Sequence, residues 1–139
     1  MELNINELAV FIAAVAVTGL GALWYSPILF GQLWLKLSNF KPEEMEAAKQ
    51  KGMAKSYVGN FIATLILVYA LAYFLSVGGA MGVGPAFVIG FWLWLGFVVT
   101  VSANGVFWGK DSWGLYGLNM AHQLVSILVA SAILSAWPI

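Results

Sequence analysis

Four long apolar runs, each bounded by charge or by glycine and proline, dominate the pattern of the chain. A helix that crosses a bilayer needs about 20 mostly apolar residues. On that measure spans are predicted at about residues 7–24, 57–77, 85–104 and 115–137. The first ends at Tyr25-Ser26-Pro27, because proline disfavours helix in the residue before it. The second begins just after Lys55 and stops at Gly78-Gly79. The third opens with Pro85 in its first turn, a place that tolerates a missing N–H. Between the first two spans, Ile28 to Leu37 is apolar on most of its circumference, with Gln32 and Lys36 as a narrow polar stripe. Too short to span, it is predicted to lie flat in the membrane interface. Beyond it Glu43 and Glu44 lead and Lys49, Lys51 and Lys55 follow, the charge order that a helix dipole favours. A short cytoplasmic helix is therefore predicted from Pro42 to about Lys55, with Met45 and Met53 toward the membrane. The expected fold is all-α: a single-domain, integral membrane four-helix bundle with an interfacial helix and a short cytoplasmic helix in the first loop.

Composition sharpens this mainly by exclusion. Hydrophobic residues make up 62% of the 139 and charged residues only 9%, against about 25% charged in a soluble domain, so the chain is read as an integral membrane protein. The first span is not read as a secretory signal, because Met1 to Leu8 holds Glu2 and Glu7 but no lysine or arginine. Six lysines balance six acidic residues, and no basic run exists to hold nucleic acid. Without cysteine there is no disulfide, thiol catalysis or iron–sulfur cluster. With His122 as the lone histidine and no carboxylate expected at its depth, neither a metal nor a cofactor is predicted. Asp111 stands eleven residues earlier, about 16 Å along a helix, too far to orient His122 in a catalytic triad. The glycine-rich turn from Gly78 to Gly84 lacks a phosphate-binding lysine. No enzyme is expected.

All six lysines fall on one side: Lys36, Lys41, Lys49, Lys51 and Lys55 between the first two spans, and Lys110 between the last two. Positive residues stay in the cytoplasm, so both loops are predicted inside and both termini outside. Cysteines introduced at Gly79 and at Gln50 should then react with impermeant reagents from outside and inside respectively; the reverse pattern would overturn the orientation.

Polar residues inside the spans are distributed unevenly. On the fourth span Asn119, His122, Gln123 and Ser126 share one face about 100° wide. Shorter polar lines run along the second span (Ser56, Asn60, Thr64), the third (Gly96, Thr100, Asn104) and the first (Thr18, Gly21, Tyr25). At 1.5 Å per residue most of them fall within about 11 Å of the inner boundary. The bundle is thus expected to be dry and tightly packed in its outer half and polar in its inner half. Two readings compete. In one, Asn60, Thr64, Thr100, Asn104, Thr18, Asn119, His122, Gln123 and Ser126 line a cytoplasm-facing cavity that binds or passes a small polar solute or lipid headgroup. In the other they only hold helices together, and the protein is a structural or assembly subunit. Trp24, Tyr25, Trp34, Trp108, Trp113 and Trp137 lie near span ends and are read as interfacial anchors among membrane lipids. Trp92 and Trp94 project about 200° apart and cannot both be core. Four thin spans bury few side chains on every face, so a homo-oligomer is expected.

The run from Gly19 to Gly31, with its Trp24-Tyr25-Ser26-Pro27 element followed by Leu29-Phe30-Gly31, resembles the opening signature of DUF1761, a family of small bacterial membrane proteins. Gly90 to Phe97 and Asn119 to Ser126 are similar to later segments of that family, though Gln123 stands where a hydrophobic residue is commoner. The resemblance implies a four-span protein of a bacterial inner membrane. It implies no reaction, substrate or cofactor.

Overall fold

A computed structural model describes residues 5–38, 43 and 54–136 of the chain. The helix expected from Pro42 to about Lys55 lies outside the described residues except at Glu43, Ala54 and Lys55, as do Met45, Met53 and Trp137. Among the described residues there is no strand, and four helices are long and apolar enough to cross a membrane: Glu7–Trp24, Ala54–Val77, Val83–Phe107 and Trp113–Ala136. A fifth, shorter helix spans Gly31–Ser38. The described residues form an all-helical fold, as the hydropathy pattern predicts.

Local chemistry sets the ends. Asn6 caps the first span, its Oδ1 accepting from the Leu8 and Ala9 amides at 3.0 and 3.2 Å, which pairs two of the four amides a helix start leaves open. The second span closes through Gly79, at φ +63°, with the Ala80 amide donating to Leu75 O (3.0 Å) and the Gly79 amide to Ser76 O (3.1 Å). That left-handed closure favours glycine. The short helix begins at Gly31, not at Ile28 as the apolar pattern predicts. The Phe30 and Gly31 amides fold back onto Trp24 O and Ser26 O, both at 2.9 Å, so residues 25–30 form a closed elbow instead of a first helical turn.

The fourth span is the hub, packing against the first and third spans most extensively and also against the second. The first span presents Val10, Ala13, Ala14 and Val17 to Val68, Leu71, Ala72, Leu75, Ile127 and Ala130. Alanines allow close approach of helices where no hydrophobic effect drives them together. The third span is the most peripheral, with 11% of its most apolar stretch buried against 28–33% in the others. It is joined to the fourth at Gly90, where a Cβ would stand 2.8 Å from Ser131 Oγ and 3.0 Å from Ile127 Cγ2.

Six residues of the third span, Trp94–Val99, form a π-helix. Trp94 Nε1 donates to Met120 O (2.9 Å), and Tyr116 Oη donates to Val99 O (2.6 Å). Both ends of the widened turn are thereby tied to the fourth span. Trp94 points inward while Trp92 is 63% exposed, the opposed pair that helical geometry requires. The outer half is not uniformly closed: a hollow of about 320 Å³, lined in part by Asn6, Ala9, Ser76, Gly79 and Ser135, opens at the end remote from Lys36, Lys55 and Lys110. It lies where the second span stops at the Gly79 turn, beside the start of the first.

Candidate functional site

At the lysine-bearing end the elbow after the first span turns two aromatic side chains inward. Gly31 makes this possible: a Cβ there would lie 2.6 Å from Tyr25 O and 2.7 Å from Ser26 O. Tyr25 Oη consequently reaches the fourth span and donates to Asn119 Oδ1 at 2.7 Å. The imidazole of His122 sits beneath both rings, with centroids 5.1 Å from Tyr25 and 5.7 Å from Trp24. Gly21 leaves room for it, since a Cβ would stand 3.3 Å from His122 Nε2. The same nitrogen lies 3.4 Å from Ser126 Oγ, a side chain that is 1% exposed. His122 Nδ1 and Trp24 Nε1 are buried without a hydrogen-bond partner. Such groups are costly in a medium that offers no water.

Two hollows flank Tyr25. One, of about 460 Å³, is lined by Tyr25, Ser102, Asp111, Tyr116, Asn119, Met120 and Gln123. The other, of about 730 Å³, lies between the elbow, the short helix and the start of the second span, lined by Tyr25, Pro27, Gly31, Gln32, Trp34, Leu35 and Tyr57. The Tyr25 phenol is common to both.

The sequence-predicted residues separate accordingly. Asn119 and Gln123 line the smaller hollow, and His122 and Ser126 continue the same face of the fourth span more deeply. Thr18, Thr64 and Thr100 do not join them. Each donates its hydroxyl to its own helix four residues back, to Ala14 O (2.8 Å), Asn60 O (2.8 Å) and Gly96 O (2.7 Å). That local bond competes with any bond across the bundle. Asn60, Thr100 and Asn104 are exposed on the flanks of their helices. Of the aromatic residues read as anchors, Trp24 and Tyr25 turn inward onto His122, and Trp34 packs edge-on against Tyr25. Trp108 and Trp113 are 88% and 62% exposed at the lysine-bearing end.

Sequence reasoning missed Asp111, Ser102 and Tyr116. It set Asp111 aside by counting back along a helix to His122. The helix starts only at Trp113, and the loop before it folds against the bundle beside Asn119. A signal existed in the glycines. The Asp111 carboxylate lies over Gly105 in the space that a Cβ there would take, and a Cβ at Gly109 would stand 2.6 Å from Gly105 O. The Asp111 amide closes this turn on Gly105 O at 3.1 Å. Among the described residues no three histidine, cysteine or carboxylate side chains come together to hold a metal.

Neither a curated protein nor a solved structure matches the chain. The family described as "Protein of unknown function (DUF1761)" matches it over residues 8–135. Two of the segments that carry the resemblance, residues 19–31 and 119–126, meet in the Tyr25–Asn119–His122 site. With the match extending over nearly its whole length, the chain belongs to the DUF1761 family.

Proposed function

We propose that this membrane protein binds or passes a small polar solute or a lipid headgroup at the hollow beside Tyr25, which the one-sided lysines assign to the cytoplasmic face. The observation that carries this reading is the Tyr25–Asn119 hydrogen bond, made between residues 94 positions apart and set in the wall between two hollows. A polar pair serving only to join helices is expected in dry packing. Here it borders a space lined by a carboxylate, three hydroxyls and two amides, the few convergent polar groups that mark a small-molecule site. The reading needs no chemical step. A second reading, a structural or assembly subunit, draws support from the cross-helix bonds of Tyr25, Trp94 and Tyr116, all of which end on the fourth span or start from it.

Absence of native cysteine makes the test clean. A single cysteine placed at Gln123 should react with a small water-soluble thiol reagent about tenfold faster than one at Ser131, because reactivity follows access of the thiolate to solvent. Ser131 is 0% exposed. If the two were equally inert, the bundle would be closed to water at this end and the assembly reading would stand.

A further inference from the structure

Resting on that reading, we infer that the smaller hollow takes a primary-ammonium group, with Asp111 supplying the counter-charge and the neighbouring side chains its acceptors. Asp111 is the one charged residue in the lining. Both phenols have already spent their protons, Tyr25 on Asn119 Oδ1 and Tyr116 on Val99 O. What Tyr25 and Tyr116 can still offer is lone pairs, and an ionised carboxylate only accepts. Three of the six polar side chains around the space are therefore acceptors, one of them negative, while Ser102, Asn119 and Gln123 can turn either a donor or an acceptor toward a ligand. An ammonium group carries three donors and no acceptor. An anion would meet the Asp111 carboxylate. A quaternary ammonium has no N–H and would leave the acceptors unpaired; a neutral alcohol would leave the charge unmatched.

The backbone of Asp111 is fixed by its turn, and its carboxylate rests over Gly105. The turn that brings Asp111 to the hollow closes on Gly105 O, and the side chain occupies the space that a Cβ at Gly105 would need. Gly105→Ala should therefore displace the carboxylate while leaving its charge intact, separating position from charge.

The same ammonium chemistry is presented by a free small amine and by an ethanolamine lipid headgroup, and one experiment distinguishes them. The full chain is placed in nanodiscs of phosphatidylglycerol alone or with phosphatidylethanolamine, and ethanolamine, choline and ethylene glycol are titrated calorimetrically. In phosphatidylglycerol discs ethanolamine should bind at least about tenfold more tightly than choline or ethylene glycol, and Asp111→Asn and Gly105→Ala should each weaken it by about tenfold. Asp111 is exposed, so Asp111→Asn should melt with the wild type in the absence of ligand. If the natural source is the lipid, ethanolamine binding should vanish in discs containing phosphatidylethanolamine, and the wild type should retain that lipid through purification more than Asp111→Asn does. If the source is a free amine, binding should be the same in both discs. Either pattern supports the inference. Ethylene glycol binding as tightly as ethanolamine, unaffected by Asp111→Asn, would overturn it and leave the hollow a site for a neutral solute. No binding of any probe, with no lipid retained, would also overturn it, while reactivity at Gln123→Cys decides separately whether the hollow is open.

Discussion

Replacing Gly90 by valine should destabilise the bundle by about 1–3 kcal/mol, the usual cost of forcing volume into a closed contact. The third and fourth spans meet here with no space to spare. The first added carbon would lie 2.8 Å from Ser131 Oγ and 3.0 Å from Ile127 Cγ2, and both neighbours are buried in the fourth span. Neither can yield easily, since Ser131 is 0% exposed and Ile127 belongs to the central apolar cluster. The third span is held chiefly by the fourth, since it touches the second only lightly, and this crossing is the tightest glycine contact between the two. Gly59→Val is the matched control: nothing stands within 4 Å of a Cβ at Gly59, and an exposed substitution of this kind stays within about 0.5 kcal/mol. Reversible unfolding in mixed detergent micelles measures both. Equal midpoints for the two variants would show that the Gly90 crossing does not hold the third span.

Tyr25→Phe and Asn119→Ala should each cost about 1–2 kcal/mol, and the double variant no more than the costlier of the two. The phenol and the amide oxygen are 2.7 Å apart and part-buried, so removing one leaves the other without its partner, which is dearer than removing both. Cross-helix hydrogen bonds within membranes give coupling energies of about 0.6 kcal/mol on average and up to about 1.7. A double-mutant cycle in the same unfolding assay should fall in that range. Additive costs would mean that the two groups do not interact, and the site would lose the bond that joins its halves. Tyr25→Phe should further change solute binding at the hollow, since it returns Asn119 Oδ1 to the lining as an open acceptor.

Much of the fold was legible along the chain. The first span runs over Glu7–Trp24, the boundaries predicted for it, the second also ends at Val77 as predicted, and the remaining ends within the described residues differ from expectation by two or three residues. The elbow at residues 25–30 was legible as a break at Pro27 but not as a device that swings Tyr25 onto Asn119, because that requires the backbone to fold back upon itself around Gly31. In the site, the shared face of Asn119, His122, Gln123 and Ser126 was legible from spacings of three and four. Asp111 was not, since a loop residue has no periodicity to place it. The π-turn at Trp94–Val99 was also hidden, as it depends on bonds to Tyr116 and Met120 of another span.

By itself the sequence determined the class of protein, the number of spans and their ends to within three residues, because these follow from local demands. A chain in a bilayer must pair its backbone groups within its own segment, so length, apolarity and chain breaks suffice. Tertiary structure alone decided which polar groups meet. The hydroxyls of Thr18, Thr64 and Thr100 could have bonded across the bundle or back to their own helices, and the pattern of residues is the same in both cases. The choice rests on how each helix is rotated about its axis and how closely its neighbour approaches, and those are set by small residues at the crossings, Gly21 against His122 and Gly90 against Ser131, acting between segments far apart in the chain.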